Sequence, residues 1–89
     1  MEFEWDEAKS EATLANRGID FAFASRLFDG PVRETPADRD GEARTRAVGV
    51  IDGLCYTVIY TLRNGRYRII SARRARKNEE GAYRQVYQE

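Results

Sequence analysis

The sequence predicts an α+β domain, with helical segments at both ends around an antiparallel β-meander. Three observations carry this. Residues 48–73 hold three β-patterned runs joined by Asp52-Gly53 and Asn64-Gly65, dipeptides that favour tight two-residue hairpins. Residues 7–28 hold two helical patterns, each preceded by an aspartate suited to cap it. Residues 75–88 return to helical spacing.

Taken in order, Glu2-Phe3-Glu4-Trp5 alternates polar and apolar residues, as a short strand with Phe3 and Trp5 on one face would. Asp6 is placed to cap a helix over 7–16, with Glu7 in its electropositive first turn and Gly18 ending it. Ala8, Ala12 and Ala15, with Leu14 nearby, form a small-residue face expected to pack closely on a sheet. Asp20 caps a second helix over about 21–28, where Phe23, Ala24, Leu27 and Phe28 lie at helical spacing before Asp29-Gly30-Pro31 stops it. Residues 33–46 contain almost nothing to bury and read as a long loop, of the kind that is mobile or functional in a compact domain. Val48, Val50 and Ile51 begin the first strand of the meander. The second, about 54–62, sets Leu54, Tyr56, Val58, Tyr60 and Leu62 on one face and Cys55, Thr57, Ile59 and Thr61 on the other. In the third, about 66–73, alternation separates Ser71 and Arg73 from Arg68, Ile70 and Ala72. Arg68 and Arg73 then share a face only if a bulge intervenes. The last helix, 75–88, has Ala75, Ala82, Tyr83, Val86 and Tyr87 as its expected buried stripe.

At 89 residues, with 42 % of them hydrophobic, the chain reads as one domain over residues 1–89 with a single core. Cys55 is the sole cysteine, which excludes an intrachain disulfide; in its strand it reads as a small buried hydrophobe. The absence of histidine removes the usual neutral-pH acid–base group and the commonest metal ligand, so neither a metal nor a cofactor is expected. No apolar run approaches the ~18–20 residues of a membrane span, and no signal-peptide pattern opens the chain. A cytoplasmic protein without membrane contact is expected.

A formal net charge of zero hides an asymmetry. Residues 1–42 hold eleven acids and five bases, whereas residues 43–89 hold four acids and ten bases. The basic half culminates in Arg73-Arg74-Ala75-Arg76-Lys77, at the junction of a strand and a helix. Such a cluster suits an anionic ligand, of which a phosphate backbone is the commonest.

Four segments, in order and at the right spacing, make the chain resemble the BrnT family of bacterial type II toxin–antitoxin systems. They are Phe3-Glu4-Trp5-Asp6 with Lys9; Asn16-Arg17-Gly18-Ile19 with Phe21; Glu42 with Arg44; and Arg68-Ile69-Ile70-Ser71-Ala72-Arg73 with Glu80 and Tyr83. The resemblance implies a small ribonuclease of RelE-like fold that acts on RNA and is neutralised by a partner antitoxin, oligomerising only through it. Where the family commonly has a histidine before the glycine of the first helix, this chain has Arg17, so no histidine role carries over.

Metal-free RNA cleavage needs a base for the 2′-hydroxyl, cations for the charge growing on phosphorus, and an acid for the leaving oxygen. The resemblance selects Arg44, Arg68 and Arg73 as cations, a role that suits the bidentate guanidinium. Arg73 and Arg44 are taken as the catalytic pair and Arg68 as substrate-binding. Glu42 is the candidate base, or else an exposed loop carboxylate. Tyr83 is the candidate acid or stacking group, or else helix core. Ser71, Arg74, Arg76 and Lys77 complete the expected substrate contacts, and the same arginines also fit a solvated sheet edge. A non-catalytic module that binds nucleic acid or an acidic partner is the alternative function.

Overall fold

A computed structural model of the protein describes residues 1–87. Among them, chain order runs β1 (Phe3–Trp5), α1 (Glu7–Arg17), α2 (Phe21–Ser25), a 3-10 turn (Arg26–Asp29), β2 (Arg33–Pro36), β3 (Thr45–Ile51), β4 (Leu54–Arg63), β5 (Arg66–Arg74) and α3 (Lys77–Val86). The strands form one sheet in the order β1-β5-β4-β3-β2. Neighbours are antiparallel except at one edge, where β1 runs parallel to β5, so the fold is α+β with a mixed sheet.

The caps act as the sequence indicates. Asp6 accepts a hydrogen bond from the Lys9 amide at 3.2 Å and Asp20 one from the Phe23 amide at 2.8 Å, each satisfying an amide that the first helical turn leaves free. One face of the sheet carries the main core. Phe21, Ala24 and Leu27 pack there against Ala47, Ile51, Tyr56, Val58, Tyr60, Ile69 and Ala72. Leu27 sits in the space left by Gly49, where a β-carbon would meet its Cδ1 at 3.0 Å. The opposite face is covered only toward the β3–β4 end, where α3 seats Tyr83 on Val48 and Cys55. Cys55 is 1 % exposed, and burial, with a smaller contribution from Glu80, raises its thiol pKa, keeping it protonated.

Four expectations are corrected. Residues 33–46 are not a loop but a β-hairpin: β2 pairs with β3 from Arg33↔Val48 to Pro36↔Thr45. The ladder continues through the Ala37 amide to the Arg44 carbonyl and the Arg39–Glu42 bridge. Its turn is Asp40-Gly41, with φ of 50° and 79°, the left-handed pair also seen at Asp52-Gly53 and Asn64-Gly65. Second, Ala8, Ala12 and Ala15 are exposed, and Ser10 is the buried residue of α1. The helix lies beside the β5 edge rather than flat on the sheet. Ser10 Oγ accepts from the Phe21 amide at 2.9 Å, and Arg17 donates to the Ala72 carbonyl at 2.9 Å. Third, α3 begins at Lys77 rather than at residue 75, and Val86 is 60 % exposed. The expected reach of this helix to residue 88 lies outside the described residues.

The fourth correction positions the site. Ile59 pairs with Ser71 but Tyr60 pairs with Ile69, so Ile70 is an extra residue in β5. This bulge resets the alternation. Ile69 and Ala72 both point into the core, and Arg68, Ser71 and Arg73, paired with Thr61, Ile59 and Thr57, all take the opposite face.

Candidate nucleic-acid interface

Where α3 does not reach, that opposite face is open and lined with cations. A groove of about 410 Å³ has Arg39, Arg44, Arg46, Arg73 and Arg76 around Ile59, Ile70 and Ser71, with Asp38 as its lining carboxylate. A second groove, about 220 Å³, continues from Arg44 and Ile70 to Lys9, Arg63, Arg68 and Glu42. Register explains the convergence. Arg46 pairs with Ile59 and Ile59 with Ser71, which sets these side chains in one row across β3, β4 and β5.

Three of the arginines are oriented by hydrogen bonds to carboxylates. Arg44 Nε donates to Glu42 Oε1 at 2.6 Å and Arg68 Nη1 to Glu4 Oε2 at 3.0 Å. Arg73 forks onto Glu79, with Nη1 at 2.7 Å from Oε1 and Nη2 at 2.9 Å from Oε2. Glu79 also accepts from Thr57 Oγ1 at 2.9 Å and from the Arg76 amide at 2.8 Å. The Arg73 hydrogen bonds, helped by Arg76 and Thr57 against the opposing effect of burial, push the Glu79 carboxyl down to about 2. It is ionised throughout the physiological range.

The sequence-selected residues divide by place. Arg44, Arg68, Ser71, Arg73, Arg76 and Glu42 gather on the open face. Arg74 does not: past the bulge it pairs with Tyr56 on the helix-covered face, its guanidinium 5.5 Å from that ring centre and its Nε donating to the Cys55 carbonyl at 3.3 Å. Tyr83 is 1 % exposed on the sheet-facing side of α3 and donates its hydroxyl to the Pro31 carbonyl at 3.0 Å, so it presents no surface to a ligand. Lys77 is exposed at the start of α3 and lines neither groove. Sequence reasoning missed Arg46 and Glu79. Arg46 stands two residues from Arg44 and therefore on its face, but that required extending the strand back to Thr45. Glu79 is the third residue of α3 after Arg76, a capping position hidden by placing the helix start at residue 75. Among the described residues, no cluster of three His, Cys, Asp or Glu side chains forms that could hold a metal ion.

Residues 5–79 match the profile of a family described as "Ribonuclease toxin, BrnT, of type II toxin-antitoxin system". The chain belongs to the BrnT toxin family. A comparison with curated proteins found no match. In this BrnT-family chain, the matched span takes in every cation of the two grooves and Glu79, and it stops short of Tyr83. Arg17 is exposed and donates to β5 at the Ala72 carbonyl. No helix among the described residues is long and apolar enough to cross a membrane.

Proposed function

We propose that this BrnT-family chain is a metal-independent endoribonuclease that cleaves RNA on the open face of its sheet, and that a cognate antitoxin protein neutralises it by covering that face. One observation carries the reading: the bulge at Ile70 and the hairpin at 33–46 together bring Arg44, Arg46, Arg68 and Arg73 to one surface around Ser71. Guanidinium groups in that number match the charge that grows on a phosphorane oxygen. Arg73 and Arg44 take the phosphate, with Arg46, Arg68 and Arg76 along the backbone of the bound strand. Glu42 shares the second groove with Lys9 and is the base for the 2′-hydroxyl, while Lys9 supplies a proton donor for the leaving 5′-oxygen. Tyr83 anchors α3 instead of entering the reaction. Cleavage of cellular RNA places the work in the cytoplasm and arrests translation.

Labelled RNA incubated with the purified protein tests this. Fragments ending in 2′,3′-cyclic phosphate, formed equally with and without chelator, are expected. RNA bound but left intact would favour the second reading, a non-catalytic binding module. The pairing of Arg44 and Arg68 with carboxylates supports that reading, since it leaves each less free to follow a transition state.

A further inference from the structure

We propose that Glu79 is the positioning residue of this interface: from the first turn of α3 it holds the Arg73 guanidinium, and draws in that of Arg46, so that both present donors to an RNA phosphate in the groove. The inference rests on the ribonuclease reading of the open face. The Glu79 side chain is 10 % exposed, and Arg73, Thr57 and the Arg76 amide supply four hydrogen bonds to its two oxygens. Three of these fall on Oε1 and one on Oε2, which Arg46 Nε also approaches, so this carboxylate is engaged by cations and amide rather than poised as a base. Its effect runs through what it holds.

The fork fixes the plane of Arg73 in a way a single hydrogen bond would not. It uses one N–H from each terminal nitrogen, and Nη1 also leans on the Arg74 carbonyl at 3.3 Å. Of the five guanidinium hydrogens, the Nε–H and the second Nη2 hydrogen remain for a ligand. Arg46 approaches the same carboxylate, Nε to Oε2 at 3.6 Å, and that buried Nε has no hydrogen-bond partner. One negative charge thus sits behind two positive ones. The pair keeps a net positive charge toward the groove, while the mutual repulsion that would drive the two guanidinium groups apart is offset. The helix N-terminus favours a carboxylate at this place as well.

A plain helix cap would show the same hydrogen bonds, and Glu79→Gln separates the two roles. Glutamine keeps the size and an acceptor for the cap but removes the charge and the fork. By charge alone the substitution makes the face more positive and tightens RNA binding. Positioning predicts instead that kcat falls by about tenfold or more, KM moves little, and unfolding stays cooperative; a misplacement near 1 Å can cost ~10²-fold in rate. In an Arg73→Ala background the same substitution should change kcat far less, by no more than Arg46 contributes. A cap-only role leaves kcat of the folded protein unchanged, or multiplies with Arg73→Ala, and either result overturns the proposal. If Glu79→Gln does not fold, Glu79→Asp keeps the charge but shortens the side chain and withdraws the fork from Arg73, and unchanged kcat there is equally decisive. If the wild-type protein cleaves no RNA, the ribonuclease reading fails. Positioning is then read from the Arg73 side-chain nitrogen resonances, held distinct in the wild type and averaged by rotation in Glu79→Gln. Identical resonances in both proteins would overturn it.

Discussion

At Arg73 a substitution has two consequences, because the guanidinium that faces the groove also neutralises a mostly buried carboxylate. Arg73→Ala is expected to lower cleavage by roughly a hundred- to thousandfold, the usual cost of a lost transition-state donor. It should also cost about 3 kcal/mol of stability by stranding Glu79. Pairing it with Glu79→Gln should restore most of the stability and none of the activity. Denaturant unfolding and a cleavage assay read the two effects apart, and full activity in the single variant would remove Arg73 from the site. Glu42→Gln tests the proposed base. Cleavage at neutral pH should drop about a hundredfold while RNA affinity barely changes; a loss under about threefold puts the base elsewhere. Single-residue legibility followed local chemistry: Arg44, Arg68 and Arg73 were picked out and do share one face, and Asp6 and Asp20 do mark helix starts. What the sequence withheld was partnership. Nothing local shows that Arg73 reaches Glu79 six residues on, or that Thr57 on another strand completes the shell.

Two local features built the interface, and each hid from periodicity for a physical reason. β2 is an edge strand of Arg-Glu-Thr-Pro with little to bury on either side, so its alternation carries no hydrophobic signal. The turn dipeptide Asp40-Gly41 was the one clue, identical in kind to the two that mark the meander. The bulge is hidden because Ile69 and Ile70 are both apolar, so either could take the inward position. Only pairing with Ile59 and Tyr60 decides it. By contrast, β3, β4 and β5 were legible because they carry buried apolar positions. Glu42 and Arg44 ride on the hairpin, so its geometry should matter to cleavage. Gly41 has φ of +79°, where a β-carbon is strained although space is open around it. Gly41→Ala should therefore cost about 1 kcal/mol and lower cleavage without touching either side chain. A stability loss with unaltered activity would mean that the hairpin need not hold its shape for catalysis.

Across the whole molecule, the charge split along the chain is only partly a split in space, since Glu4, Asp38 and Glu42 of the acidic half stand among the arginines of the open face. Strands β3 to β5 form the middle of the sheet and turn Arg46, Arg63, Arg68 and Arg73 to the open face, while Glu7, Glu11 and Asp29 lie exposed on the helical elements. Stability should carry the same signature. Glu79 falls from an ordinary 4.5 to about 2 in the fold, so its contribution is fully present above about pH 4.5 and is lost as pH falls toward 2. A shift of that size corresponds to roughly 3 kcal/mol. Denaturant midpoints measured at about pH 5 and about pH 2.5 should differ less in Glu79→Gln than in the wild type; an equal difference would assign the acid sensitivity to other carboxylates. The antitoxin is the larger test. On the proposed reading it covers the open face, which is basic and uncovered by α3, so an acidic surface on the partner is expected. Attraction between such surfaces mainly speeds association and weakens as salt screens it. Arg39 and Arg76 suit the test: both are exposed at the first groove and neither guanidinium is seen hydrogen-bonded to a carboxylate among the described residues. Arg74 would be a poor choice because it points through the sheet to the other side. In Arg39→Glu with Arg76→Glu, association should slow by about tenfold at low salt and converge on the wild-type rate as salt rises. A wild-type rate indifferent to salt, or a double variant that associates normally, would put the antitoxin on another surface. A complex that still cleaves RNA would show that neutralisation does not work by covering this face.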